Sequence, residues 1–424
     1  MLTVIIRMIF AGQLVYLISI MPFYSTYFAH GDSMGLISRY PFGWKPNKLK
    51  IRFLYILWIS SLIYILILPS TWATIAFATF VVGASRIFFV ATRYESLGRG
   101  NGAPGFMSYW STFYGLGFVI SQHIESLLPY VIVTLGIDLF LIFLSAGIFK
   151  YINGYASGQG IEFGLVNPVW SIWYKRWIKI PSNSLVYSLL NVFSIISELC
   201  ISFFLLHPKT WWLSSCLLIV TFIFLMSFIR LGTLPITMII IGVTLFLGQK
   251  ILLEGDYHNN DAALSISLLY ILLLIMSYIW TWSFNKKVHL PFFLSKLTRW
   301  SYVLTGAIIW SVFTVKITSN YFECNQEIKR KSSLRTFDFV KLTSPDLGVH
   351  SGITLATLRT FLDYFPNDNE GWEHRCLLYF MAHPELNSLV YYKINKLNED
   401  WTIQPELQIQ RMNGNIDTYR HFEE

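Results

Sequence analysis

An ionisable side chain inside a long apolar run costs several kcal/mol unless it is paired or faces water, so each such residue is a candidate for chemistry. Five stand out here: Arg7, Arg86, Asp138, Lys150 and Glu198, with Gln13, Gln122 and Asn191 as neutral companions. Lys150 closes an apolar run that begins at Phe140. It is either a lysine snorkelling to a helix end or a base and charge stabiliser. Glu198 lies deep in its own run with apolar neighbours on both sides, and it needs a cation. Lys150, Arg86 and Arg7 are the available donors, and Asp138 is expected to share the same network. A buried Lys–Glu pair is structural or chemical, because desolvation brings both groups toward the range useful for proton transfer.

Two loops add polar groups. The stretch from Leu97 to Gly105 is dense in glycine. Its backbone amides, at Gly100 and Gly102 among others, form an anion nest with Arg93 and Arg99, or the glycines simply allow a tight turn. The loop 151–180 interleaves Trp170, Trp173, Lys175 and Arg176. Aromatics alternating with cations suit a segment at the lipid headgroup level; the alternative is a lid over a substrate, with Glu162 and Asn167 as polar contacts. The nine histidines show no metal-ligand spacing, and neither a Cys-x-x-Cys nor a Gly-x-Ser-x-Gly motif occurs, so no metal site or serine nucleophile is expected.

These residues must be held by membrane helices. Only 13% of the 424 residues are charged while 54% are hydrophobic, roughly half the ~25% charge of a soluble domain. The apolar residues gather into blocks near the ~20 residues that cross a bilayer. Ten spans are predicted at 2–21, 53–68, 71–91, 108–122, 129–149, 183–206, 211–229, 232–248, 262–284 and 300–317, the fourth being short and glycine-bearing. The expected fold is an all-α polytopic membrane protein over 1–318 with a small soluble α+β domain over 319–424.

Loop charge sets the orientation. Sixteen basic residues, from Arg39 to Arg299, fall in one set of alternating loops, against Lys209 and Lys250 in the other. The net charge of +8 therefore reads as a positive-inside signal rather than a nucleic-acid surface. It places the N-terminus and the C-terminal domain outside the cytoplasm of a bacterial inner or plasma membrane. In the C-terminal domain, 337–342 and 388–394 read as strands, and 354–364 and 372–382 as helices. Its Cys324 and Cys376 are permitted to bridge in that compartment, or remain buried thiols.

The run Phe143-Leu-Ser-Ala-Gly-Ile-Phe-Lys150, the tryptophan-bearing loop after it, the segment Ile196-Ser-Glu198-Leu-Cys-Ile-Ser, and a next helix opening after His207-Pro208-Lys209 together resemble the HTTM (horizontally transferred transmembrane) family. That family includes the membrane part of vitamin K-dependent gamma-glutamyl carboxylase, and the resemblance covers about 1–285. It implies that Lys150 matches the lysine acting in hydroquinone oxidation and Glu198 the intramembrane acid, with a vitamin K-like quinone as cofactor. The chain departs from that pattern in having no histidine over 220–229 and about 105 residues in place of a large lumenal region. Two functions follow as expectations. One is an HTTM-like enzyme acting on a lipid- or quinone-like molecule, or making a carboxylase-like modification. The other is a non-catalytic scaffold or complex subunit whose C-terminal domain binds a partner. Membrane lipids, and other membrane or extracytoplasmic proteins, are the expected partners, with no nucleic acid.

Overall fold

The computed structural model describes residues 1–29, 48–92, 103–152, 154–157, 160–166, 171, 173–229, 231, 233–255, 261–285, 289–305, 320–330, 333–338, 390–397, 401–412 and 415–420. Twelve α-helices occur among them. The long ones are α1 (Leu2–Ala29), α2 (Lys48–Ile67), α3 (Trp72–Thr92), α4 (Ala103–Ser121), α5 (Leu128–Ile152), α8 (Leu185–Leu205), α9 (Trp211–Phe228), α10 (Leu234–Glu254) and α11 (Asp261–Asn285). Two single-turn pieces, α6 (Ile161–Leu165) and α7 (Tyr174–Trp177), lie in the loop between α5 and α8, and α12 (Phe292–Thr305) follows α11.

The breaks fall where the backbone demands them. Pro69-Ser70 separates α2 from α3, and the Leu68 carbonyl left open there accepts from Thr74 Oγ1 at 2.5 Å. His207-Pro208 ends α8, with His207 Nδ1 accepting from the Lys209 amide, and Pro235 sits in the first turn of α10, where its missing N–H costs nothing.

Four stretches among the described residues are long and apolar enough to cross a membrane: Glu125–Ile152, Leu185–Leu205, Pro208–Phe228 and Leu234–Glu254. Helix α8 shows what solvent it is built for. Its outward residues include Leu189, Val192, Phe193, Ile196 and Phe203, all exposed, while Asn191, Glu198 and Ser202 are buried. A helix of a water-soluble protein turns its apolar stripe inward; this one is inverted, as hydrocarbon requires.

Helix α5 packs against α4, α8, α10 and α11, and α1 packs against α2, α4 and α10. Close approach in the centre depends on small residues. A Cβ on Gly147 would meet the Leu199 side chain at 2.8 Å, and one on Gly136 would meet the Trp211 ring at 2.6 Å. The first contact seats α5 on α8 and the second seats it on the start of α9.

The C-terminal strands β1 (Asn320–Arg330), β2 (Ser333–Asp338), β3 (Val390–Leu397), β4 (Ile403–Met412) and β5 (Asn415–Arg420) pair antiparallel in the order β2-β1-β3-β4-β5. The register between β3 and β4 shifts at Ile394/Asn395, next to the pairing of Asn395 with Pro405. A proline within an inner strand is tolerated at such a bulge because it has no N–H for the ladder. Of the expected elements in this region, the strand over 388–394 overlaps β3 and that over 337–342 overlaps the end of β2, whereas the helices over 354–364 and 372–382 lie outside the described residues.

Trp401 joins the β3–β4 connection to the helices. It donates its indole N–H to the Ile180 carbonyl at 2.7 Å and packs in a cluster with Ile161, Leu165, Val166, Tyr187 and Ile229. The alternation of spans puts the 151–180 loop and the C-terminal segment on opposite faces. The structure sets Trp401 against the end of that loop, a contact that the alternation of spans does not anticipate. Chain charge reports only which loops share a side. It carries no information about where a later segment folds back.

Candidate functional site

Lys150 and Glu198 meet between α5 and α8. Lys150 Nζ donates to Glu198 Oε1 at 2.5 Å and to Ser194 Oγ at 2.8 Å. Both charged residues are more than nine-tenths buried. The approach follows from the local sequence. Gly147 lies one turn before Lys150 and rests on Leu199, the neighbour of Glu198, so the two helix backbones are close enough for a lysine to reach across. Ser194 and Glu198 are four residues apart on one face of α8, which lets a single ammonium bridge them. Glu198 Oε2 is buried and has no hydrogen-bond partner among the described residues.

The polar face of α8 continues from this pair toward the 153–184 loop. Asn191 lies one turn before the Ser194–Glu198 pair. Its Nδ2 donates to Glu162 Oε2 at 2.7 Å, and its Oδ1 accepts from the Ile161 amide at 2.8 Å. The Gly160 amide donates to the other Glu162 oxygen at 2.8 Å. This carboxylate is buried yet accepts at both oxygens, which is how a charge without a cation is held. A Cβ on Gly160 would meet the Tyr155 ring at 2.6 Å, and that ring lies 5.9 Å from Lys150 Nζ. One turn further out, Tyr187 donates to the Trp177 carbonyl at 2.6 Å. From Tyr187 to Glu198 the strip runs about 16 Å, at 1.5 Å per residue.

The remaining candidates do not converge on this pair. Asp138 sits twelve residues before Lys150 on α5, about 18 Å along the helix. Its Oδ2 accepts from Trp110 Nε1 at 2.5 Å and from Tyr114 Oη at 3.1 Å, and Oδ1 has no hydrogen-bond partner among the described residues. Arg86, on α3, lies over the Tyr109 ring at 4.9 Å, so it belongs to the α3–α4 contact. Arg7 is exposed and donates from Nε to the Leu66 carbonyl at 3.0 Å, tying α1 to the end of α2. The expectation of one shared network is thus replaced by a Lys150–Glu198 pair and three separate polar contacts.

In the aromatic loop, Arg176 stacks on Trp173 at 4.4 Å and Lys175 lies 5.9 Å from the Tyr174 ring. The Trp173 indole donates to the Ser227 carbonyl at 3.1 Å, and Ser171 bridges Ile229, so the loop is pinned to the end of α9. Arg93, Arg99, Gly100, Gly102, Asn167, Trp170 and Cys376 lie outside the described residues. Cys324 falls in β1, paired with Tyr392 of β3.

Sequence reasoning missed Ser194, Tyr155, Tyr187 and Trp401 as parts of this region. Ser194 was legible as the residue one turn before Glu198 on the same face. Compared with protein-family models, curated proteins and solved structures, the chain matches none.

Proposed function

We propose that the chain is an integral membrane protein that binds a small lipid- or quinone-like molecule at the Lys150–Glu198 pair and acts on it as an HTTM-like enzyme. The observation that carries this reading is the half-satisfied carboxylate. Glu198 is buried, paired through Oε1 alone, and its Oε2 lacks a donor among the described residues. Such an atom calls for an explanation, and the hydroxyl of a hydroquinone or lipid head supplies the missing donor. In this reading Lys150 is the base or charge stabiliser. A proton shifted from Nζ to Glu198 leaves an amine, which takes the proton of the substrate hydroxyl and becomes an ammonium beside the new oxyanion.

The scaffold reading rests on a different observation. Among the described residues the sheet ends in strands β2 and β5, each paired on one side, and a strand edge is a ready site for another chain. Its location also belongs to the proposal. If the basic loops mark the cytoplasmic face, the contact of Trp401 with the Ile180 carbonyl favours a cytoplasmic position for Trp401.

The test is turnover of a short-chain naphthohydroquinone by the protein in nanodiscs, followed by absorbance. In air-saturated buffer, with dioxygen taking up the two electrons and two protons as hydrogen peroxide, the wild type is expected to oxidise it and the charge-free Lys150→Met/Glu198→Leu double variant to show only the uncatalysed rate. Folded wild-type protein that leaves the hydroquinone untouched fails as an enzyme of this kind.

A further inference from the structure

The β3–β4 turn occupies a particular place in the fold. Trp401 is nine-tenths buried and sets its ring edge-on against Phe163 at 5.6 Å and Tyr187 at 5.9 Å. Those two rings flank the outer end of the polar strip. Beneath them lie in turn the Glu162–Asn191 layer, Tyr155 packed over Gly160, and the Lys150–Ser194–Glu198 group. The short helix α6, which carries Glu162 and Phe163, touches α8 and is bonded to it at Asn191, at the outer end of the strip. Trp401 therefore presses on α6 from outside.

The backbone at this contact is unusual. Trp401 has φ 66°, the one positive φ at a non-glycine residue among those described. A Cβ in the left-handed region is unfavourable, and outside Gly, Asn and Asp it persists only where surrounding contacts hold it. Here those contacts are an indole hydrogen bond, two edge-on rings and an apolar cluster with Ile161, Leu165, Val166 and Ile229, all supplied by residues distant in sequence. Releasing the indole would relieve the conformation and remove the ring contact on Phe163 of α6, leaving α6 on its Asn191 bonds.

We propose that Trp401 is a detachable latch: it holds the α6 cover closed over the Glu162–Asn191 end of the polar strip, and its withdrawal opens the strip to the aqueous phase. The inference rests on the strip being a ligand site, yet its test needs no ligand. Full-length protein in nanodiscs is compared as wild type, Trp401→Phe and Trp401→Ala by hydrogen exchange over 160–166, where the Gly160 and Ile161 amides are bonded to Glu162 and Asn191. In parallel, Ser194→Cys, with the native cysteines replaced by serine, is reacted with a membrane-impermeant maleimide.

Trp401→Ala is expected to speed both exchange over 160–166 and labelling at 194 at least tenfold. Trp401→Phe, which keeps a ring and loses the N–H, is expected to fall between. Unchanged exchange in Trp401→Ala overturns the latch, and so does faster exchange with unchanged labelling, since the cover would then move without opening the strip. A latch that behaves as stated in a protein that binds no quinone leaves the latch standing and removes the proposed substrate.

Discussion

At the scale of single residues the balance is between paired and stranded charge. Removing one member of a buried ion pair leaves the other uncompensated and costs about 3–5 kcal/mol, whereas replacing both with apolar groups of similar volume is often neutral. Lys150→Met and Glu198→Leu are each expected to lower the unfolding temperature in detergent, and the double variant to recover most of the loss. Additive losses in the double variant would show that the residues act independently. Asn191→Ala strips a donor from Glu162 and an acceptor from the Ile161 amide, at about 1–3 kcal/mol for each buried group left unsatisfied. Differential exchange localised to 160–166 is the expected signature, and a uniform loss of stability across the helices would argue against the local role. The pair itself was legible because hydrocarbon allows few solutions for a buried glutamate. Its cation was not, since Arg7, Arg86 and Lys150 all carry the right charge and only packing chose among them. Asp138 was misassigned for a related reason: its donors, Trp110 and Tyr114, are neutral and carry no charge signature in the sequence.

Helices bring these residues together through small side chains. Gly147 lets α5 settle on Leu199 of α8, and a larger residue must be accommodated by moving one helix. Gly147→Leu is expected to cost about 1–3 kcal/mol by overpacking, visible as a lower unfolding temperature, and to weaken quinone binding through the displaced lysine. Gly147→Leu protein with unchanged binding would separate helix spacing from the site. The Ala146-Gly147 pair ahead of Lys150 is visible in the sequence, but the partner helix it faces is not, because an apolar surface in lipid matches many others. The cover formed by α6 was still less legible. Its single turn has no periodic pattern, and among the described residues its buried Glu162 is held by one backbone amide and one asparagine.

The whole molecule combines a helical body, four of whose stretches are long and apolar enough to cross a membrane, with a sheet whose Trp401 contacts the loop between α5 and α8. Hydropathy carried the helical body, because the bilayer imposes a length on every crossing. It did not carry the return of the C-terminal segment, which depends on one tryptophan in an otherwise polar stretch. With the basic loops in the cytoplasm, a cysteine at the exposed Thr402 is expected to react with an impermeant maleimide only after cells are permeabilised, and reaction in intact cells would reverse the orientation. The central claim is that the buried pair is a ligand site, and it is tested most directly by titrating nanodisc-embedded protein anaerobically with a short-chain naphthohydroquinone, whose hydroxyl can donate to Glu198. Saturable binding to the wild type, weakened at least tenfold in a folded Lys150→Met/Glu198→Leu variant, is the predicted result. Equal binding to both proteins, or none to either, would contradict it.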